Sequence, residues 1–171
     1  EQTLARNQIP YKVVGDLPVF RRRVIKDLIC ALRASCNTGD VEALSRIINR
    51  PKRGFGAKKK ESLFHEGRSF AEEFGKENPQ IGEFMALLKD MHGMGPTEAL
   101  REYLNRSGYM ETIEKDSDRY LIEALRDVVT NYDTVEELVL ASSFIEEDKT
   151  DGVKLMTVHA SKGLEFKRVF V

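Results

Sequence analysis

Apolar positions recur at helical spacing through most of the chain and at strand spacing only near its two ends. Val24, Ile25, Leu28, Ile29 and Leu32 fall on one face, which predicts a helix from about Phe20 to Ala34. Asn37-Thr38-Gly39-Asp40 reads as a turn that supplies a helix N-cap. Val41, Leu44, Ile47 and Ile48 then form the inner face of a second helix, stopped before Pro51. Ile81, Phe84, Met85, Leu88 and Met91 make one stripe that ends at His92-Gly93. Gly95-Pro96 opens the next helix, with proline at a tolerated first-turn position and Leu100, Tyr103 and Leu104 facing inward. Leu121, Ile122, Leu125, Val128 and Val129 define another. Val135, Leu138, Val139 and Ile145 define the last, entered through Asp133-Thr134 with Glu136 and Glu137 near its positive end.

The ends read differently. Tyr11 to Val14 is a short candidate strand between Pro10 and Gly15-Asp16. Past Gly152, Val153, Leu155, Thr157 and His159 alternate with Lys154, Met156 and Val158. That is a strand rhythm with mostly apolar members on both faces, which suits burial in a sheet covered by helices. Such a strand either pairs near Tyr11 to Val14 or stays exposed as an edge. The fold expected is mostly α: a helical insertion subdomain with a partial α/β domain formed from both chain ends.

Composition narrows the class. The chain has 171 residues, 41% hydrophobic and 32% charged, as in a globular protein rich in charged helices. No apolar run approaches the roughly 20 residues that span a bilayer, and no signal-peptide pattern opens the chain. Cys30 and Cys36 have no partnering histidines at zinc spacing, so a reducing cytoplasm is the expected location. His65 and His92 likewise lack carboxylate or cysteine partners at ligand spacing, so no metal site is expected. Met85, Met91 and Met94 read as core. The chain starts without Met in what reads as mid-helix (Glu1 to Asn7) and stops in apolar Val169-Phe170-Val171. It therefore reads as an internal piece of a longer protein.

Charge is segregated although the formal net charge is −1. Arg50, Lys52, Arg53, Lys58, Lys59 and Lys60 lie in one acid-free run, and Arg21, Arg22 and Arg23 make a second cluster, read as an exposed helix face. From Asp133 to Asp151 seven acids stand against Lys149 alone. Glycines beside the first run, in Arg53-Gly54-Phe55-Gly56-Ala57, let backbone approach a phosphate, and a following helix start offers free amides. The same run is also what a glycine hinge with solvated lysines would look like. At the other end, a strand that delivers Thr157 and His159 to its carboxyl edge, then a small-residue turn with Lys162, is suited to holding phosphate. It equally describes a plain strand-turn with a surface lysine. Ser161-Lys162-Gly163 is not a Walker A loop, and nothing else in the chain matches one.

Three ordered stretches carry a family resemblance. LMTVHASKGLEF, from Leu155 to Phe166, resembles motif V of superfamily 1 helicases of the UvrD/PcrA/Rep group. Ile9-Pro10-Tyr11, then Phe20, Arg22 and Ile25-Lys26-Asp27, resembles that family's IPY-x-x-x-GG, FF-x-R-x-EIKD segment. Arg46-Ile47-Ile48-Asn49-Arg50-Pro51-Lys52-Arg53-Gly54-Phe55-Gly56 resembles its RIIN-x-P-x-RGIG. Asp16, Val19 and Val24 depart from the pattern, where the family has Gly, Phe and Glu. From about Ala57 to Thr150 the match is only one of helical character.

The resemblance implies that residues 1–53 and 152–171 belong to the second RecA-like domain (2A), with 54–151 as the helical insertion (2B). It implies that Thr157 and His159 lie against single-stranded DNA, that Glu165 approaches the ribose of ATP, and that Gly163 keeps the turn close to the nucleotide. It implies duplex contact by Arg53, Gly54, Gly56, Lys58, Lys59 and Lys60. The parent protein would be an ATP- and Mg2+-dependent 3′–5′ DNA helicase gripping DNA without sequence preference. The chain itself lacks a Walker A loop, a recognisable Walker B and the downstream arginine motif, so it is expected not to hydrolyse ATP. The rival expectation is a protein-binding or regulatory module of a helicase or helicase-nuclease subunit. The Arg50–Lys60 run discriminates: charges that converge with exposed glycine amides favour DNA, and charges splayed around a hinge favour regulation.

Overall fold

Helix α1 (Arg23–Cys36) buries Val24, Ile25, Leu28, Ile29, Ala31, Leu32 and Ala34, together with Asp27 and Ser35. A helix apolar on one side only would lie on a surface; burial around most of its circumference makes α1 the central element. The computed structural model describes residues 11–14, 22–37, 39–146, 152–156 and 165–170. Around α1 pack α2 (Val41–Ile47), α5 (Pro79–Asp90), α6 (Pro96–Arg106), α7 (Asp116–Val129) and α8 (Val135–Glu146). Helices α3 (Ala57–Glu66) and α4 (Arg68–Glu77) join the first pair to the rest. One hydrophobic cluster runs through all eight helices of the described residues. The fold is mostly α, as the periodicity predicts.

Local chemistry sets the helix starts. Asp40 accepts from the Ala43 amide at 2.9 Å to cap α2, and Arg33 of α1 holds the same carboxylate at 2.8 Å. Asn78 caps α5 through the Ile81 amide at 3.3 Å, with Pro79 in the first turn. Helix α8 begins with a reciprocal cap: the Glu137 amide donates to Thr134 Oγ1 at 3.2 Å, and Glu137 Oε2 accepts from the Thr134 amide at 3.4 Å. Helices α4 and α5 touch backbone to backbone, since a Cβ on Gly82 would stand 2.8 Å from the Gly75 carbonyl oxygen. The observed α1 starts three residues later than the stripe predicts, after an extended Arg22, and ends two residues later, where Cys36 still packs on the core.

Strands β1 (Tyr11–Val14) and β2 (Val153–Met156) pair in parallel, with Tyr11 opposite Val153 and Val14 opposite Met156. Residues separated by the whole helical array thus close one small sheet. At the start of β2, Val153 is 45% exposed and Lys154 is exposed as well. The helix read over Glu1 to Asn7, Arg21, and the turn from Ala160 to Gly163 lie outside the described residues.

Candidate nucleic-acid interface

The Arg50–Lys60 run folds as a loop anchored from beneath. Asn49 Oδ1 accepts from the amides of Arg53 at 2.7 Å and Phe55 at 3.2 Å. Asn78 Nδ2 donates to the Arg53 carbonyl at 3.1 Å. Phe55 is fully buried, edge-on to Phe70 and Phe74 at 6.0 and 5.6 Å between centroids. Between these anchors Gly54 adopts φ +73°, a left-handed conformation that a side chain would strain. Gly54, Gly56, Ala57 and Lys58 are exposed, and Gly56 begins α3 without a side-chain cap. The first amides of α3 therefore face solvent, with the positive end of the helix behind them.

The four lysines of the run separate into three groups. Lys52 and Lys58 are exposed beside the glycines. Lys59 folds back, donating to the Gly54 carbonyl at 2.9 Å and lying 3.8 Å over the Phe74 ring. Lys60 is half-buried, and burial, then the nearby Arg50, pushes its pKa down.

Arg53 turns inward. It is 6% exposed; Nη2 donates to the Ser107 carbonyl at 2.6 Å and Nη1 to those of Ile48 and Pro51 at 3.1 and 3.3 Å. Its guanidinium also lies 4.1 Å above the Phe84 ring. Arg53, expected as a duplex contact, is placed inside instead, with its donors on backbone carbonyls at the end of α2 and of α6. The charges neither converge as one patch nor splay around a hinge, because the loop that bears them is fixed by its own hydrogen bonds.

Sequence reasoning missed a buried node beneath this loop. Asp27 is 1% exposed and accepts from Arg46 Nε and Arg50 Nη1, both at 2.6 Å, and from the Tyr109 hydroxyl at 2.9 Å. Burial, then Asp27, pushes the Tyr109 pKa up. A buried carboxylate is tolerated only when it is paired and hydrogen-bonded, and here three side chains do both. The signal in the sequence was an acidic residue on the apolar face of a helix, Asp27 between Ile25 and Leu28. Arg22 and Arg23 are exposed, as read.

At the other end, β2 is described as far as Met156, the residue before Thr157 in sequence. Thr157, His159 and Gly163 lie outside the described residues; Glu165 is described and exposed. No group of His, Cys, Asp and Glu able to hold a metal ion occurs among the described residues. Cys30 and Cys36 are free thiols whose pKa burial pushes up. His92 Nδ1 sits 2.9 Å from the Ser35 carbonyl, a helix-end contact. Met85 and Met91 are core residues. No helix among the described residues is long and apolar enough to cross a membrane.

Comparison with known proteins gives this architecture a family. The model of the UvrD-like helicase C-terminal domain matches residues 1–91 and 69–171. A probable DNA helicase II homolog from Rickettsia conorii is 30% identical over 205 residues, covering all of this chain and 31% of that protein. The ATP-dependent DNA helicase PcrA of Staphylococcus epidermidis is 29% identical over 206 residues, covering the whole chain and 28% of that protein. The PcrA of Staphylococcus aureus gives the same figures, 29% and 28%. The chain thus spans less than a third of the length of these curated relatives. With both matches together taking in every residue, the chain belongs to the UvrD-like helicase C-terminal domain family.

Proposed function

We propose that this chain is the DNA-gripping and coupling part of an ATP-dependent 3′–5′ DNA helicase, and that it holds duplex DNA at the start of α3. The observation that carries the reading is the exposed, uncapped start of α3, presented with Gly54, Gly56 and Lys58 on a loop fixed from beneath. Backbone amides and the helix dipole suit a phosphate there, and Lys52 and Lys58 add charge. Such contacts carry no sequence information and weaken with salt.

Coupling would run through the sheet. In a parallel pair, ligands sit beyond the carboxyl ends of the strands. β1 and β2 share that end, and Thr157 and His159 follow β2 directly in sequence. We assign those two residues to the single-stranded backbone, and Gly163 and Glu165 to ATP held between two RecA-like domains, on the strength of the motif V resemblance. ATP with Mg2+ would supply the free energy for translocation, and no residue of this chain is assigned to the metal. Nucleotide-driven closure would then shift which backbone contacts are made.

Titration of the chain with a fluorescent blunt-ended duplex, at about 50 and 200 mM salt, tests the grip. The discriminating variant is Gly56→Asp. A Cβ at Gly56 meets nothing within 4 Å, and aspartate is a better N-cap than glycine by roughly a few tenths of a kcal/mol. It should therefore fold at least as stably while its carboxylate repels phosphate. Salt-sensitive binding that Gly56→Asp abolishes supports the reading; unchanged binding by this variant overturns it.

A further inference from the structure

The cations that the α3 surface does not use gather on the opposite side of the same helix. A cleft of about 360 Å³ opens between α1, α2, α3 and α8. Arg33, Arg46, Arg50 and Lys60 line it together with Lys26, and Glu42 is the acid on its wall. All three arginines are engaged, but only in part. Arg46 and Arg50 each reach Asp27 through one nitrogen and remain 33% and 40% exposed. Arg33 reaches Asp40 and remains 34% exposed. With Lys26 left out of the count, Arg33, Arg46, Arg50 and Lys60 stand against Asp27, Asp40 and Glu42, which leaves one positive charge in excess among these residues.

The cleft also has an aromatic rim. Phe64 lines it and is 59% exposed, a large apolar ring left in water. Lys60 and Phe64 are four residues apart on α3, which puts them on one face of the helix. Lys58, two residues from Lys60, sits about 200° around the axis. The α3 helix therefore separates two surfaces: amides and Lys58 on one, and Lys60 with Phe64 on the other.

We propose that this cleft binds a single-stranded nucleic-acid segment, its phosphates against Arg33, Arg46, Arg50 and Lys60 and a base stacked on Phe64. A guanidinium anchored by a carboxylate is pre-oriented, and its remaining donors match a phosphate in a fork. Sequence-tolerant single-strand sites combine such a basic groove with an exposed ring, since every base offers a π-face. Duplex would satisfy the charge but not the ring, because its bases are stacked on each other. The inference rests on the DNA-contacting reading for its ligand class, and it adds a second, separate surface to that reading.

The test uses a fluorescently labelled dodecathymidylate and an abasic strand of equal length and charge, with anisotropy as the readout. Arg46 and Arg50 hold the buried Asp27, so the variants avoid them. Lys60 has no ion-pair partner among the described residues, and Phe64 is exposed; Lys60→Glu and Phe64→Ala should both fold, checked by circular dichroism. The expected results are tight, salt-sensitive binding of the thymidylate, at least about fivefold weakened by Phe64→Ala and more by Lys60→Glu. The abasic strand should bind weakly and be indifferent to Phe64→Ala. The chain contains no tryptophan, so Phe64→Trp introduces a single indole whose fluorescence should be quenched when a base stacks on it. Equal binding of thymidylate and abasic strand, no quenching, or full affinity in Lys60→Glu would overturn the proposal. Gly56→Asp separates the two surfaces: it should leave thymidylate binding within twofold. Retained thymidylate binding with no duplex binding by any form would sink the α3 grip while leaving the cleft standing.

Discussion

Arg53 and Lys58 come from one basic run, yet the structure uses them in opposite ways. Around Arg53 the chain turns cations inward. One arginine holds carbonyls at the ends of α2 and α6, and two more hold the buried Asp27. Around Lys58 the chain leaves a lysine and a helix start in water. Residue type follows the difference. Arginine's fixed fork and weak hydration suit it to buried carbonyls and carboxylates, whereas a lysine ammonium is better left hydrated. The inward region gives the outward one its shape, because the loop carrying Gly54 and Gly56 stands on Asn49, Arg53 and Phe55. Basic character alone therefore does not mark a contact with DNA; available donors do.

The comparison breaks most visibly at Asp27. Asp27→Ala strands two arginines and a tyrosine hydroxyl, and should cost about 3–5 kcal/mol, read as a fall in the urea midpoint. Next comes Arg53→Met, which keeps an apolar stem over Phe84 but leaves the Ser107 and Ile48 carbonyls unpaired. It should cost about 2–3 kcal/mol. If Arg53→Met instead keeps full stability and loses duplex binding, the inward assignment is wrong.

Tyr109→Phe removes one hydrogen bond to a buried carboxylate, worth about 2 kcal/mol, and it also sharpens the pH behaviour. Burial pushes the Tyr103 and Tyr109 hydroxyls above the ordinary tyrosine value of about 10. As pH rises past about 10 the unfolded chain releases these protons first, so the native state holds more protons and loses stability. The contribution is complete below that pH. Urea midpoints should decline above about pH 10, and Tyr109→Phe should flatten the decline. The smallest structural effect belongs to Lys58→Ala, whose stability should stay within about 0.5 kcal/mol of the unsubstituted chain. Its duplex affinity should fall severalfold, with the salt slope lower by about one.

The helical stripes were legible because a helix repeats every 3.6 residues and its inward face is written locally. Ile81, Phe84, Met85, Leu88 and Met91 are all buried as their spacing predicts. Gly95-Pro96 and Asp133-Thr134 marked helix starts because capping involves neighbours only a few residues apart. Tyr11 to Val14 was legible as a strand for the same local reason, and the candidate partner for β2 followed from the scarcity of other strands. Of the candidate interface, the glycines and Lys58 were legible as exposed polar chemistry, while the inward turn of Arg53 was not. Its partner Ser107 lies 54 residues away.

The sequence by itself thus determined six of the described helices, the two end strands as strands and the family to which the chain belongs. Those follow from periodicity, caps and ordered motifs, each read over a few residues. Only the tertiary structure decided which charges are partners and which are free. Asp27 draws Arg46, Arg50 and Tyr109 from 19, 23 and 82 residues along the chain. A carboxylate finds partners at such separations only after the hydrophobic faces have packed. The same packing turned Lys60 into a cleft and left Lys58 in water, and no local pattern in a run of three lysines distinguishes the two.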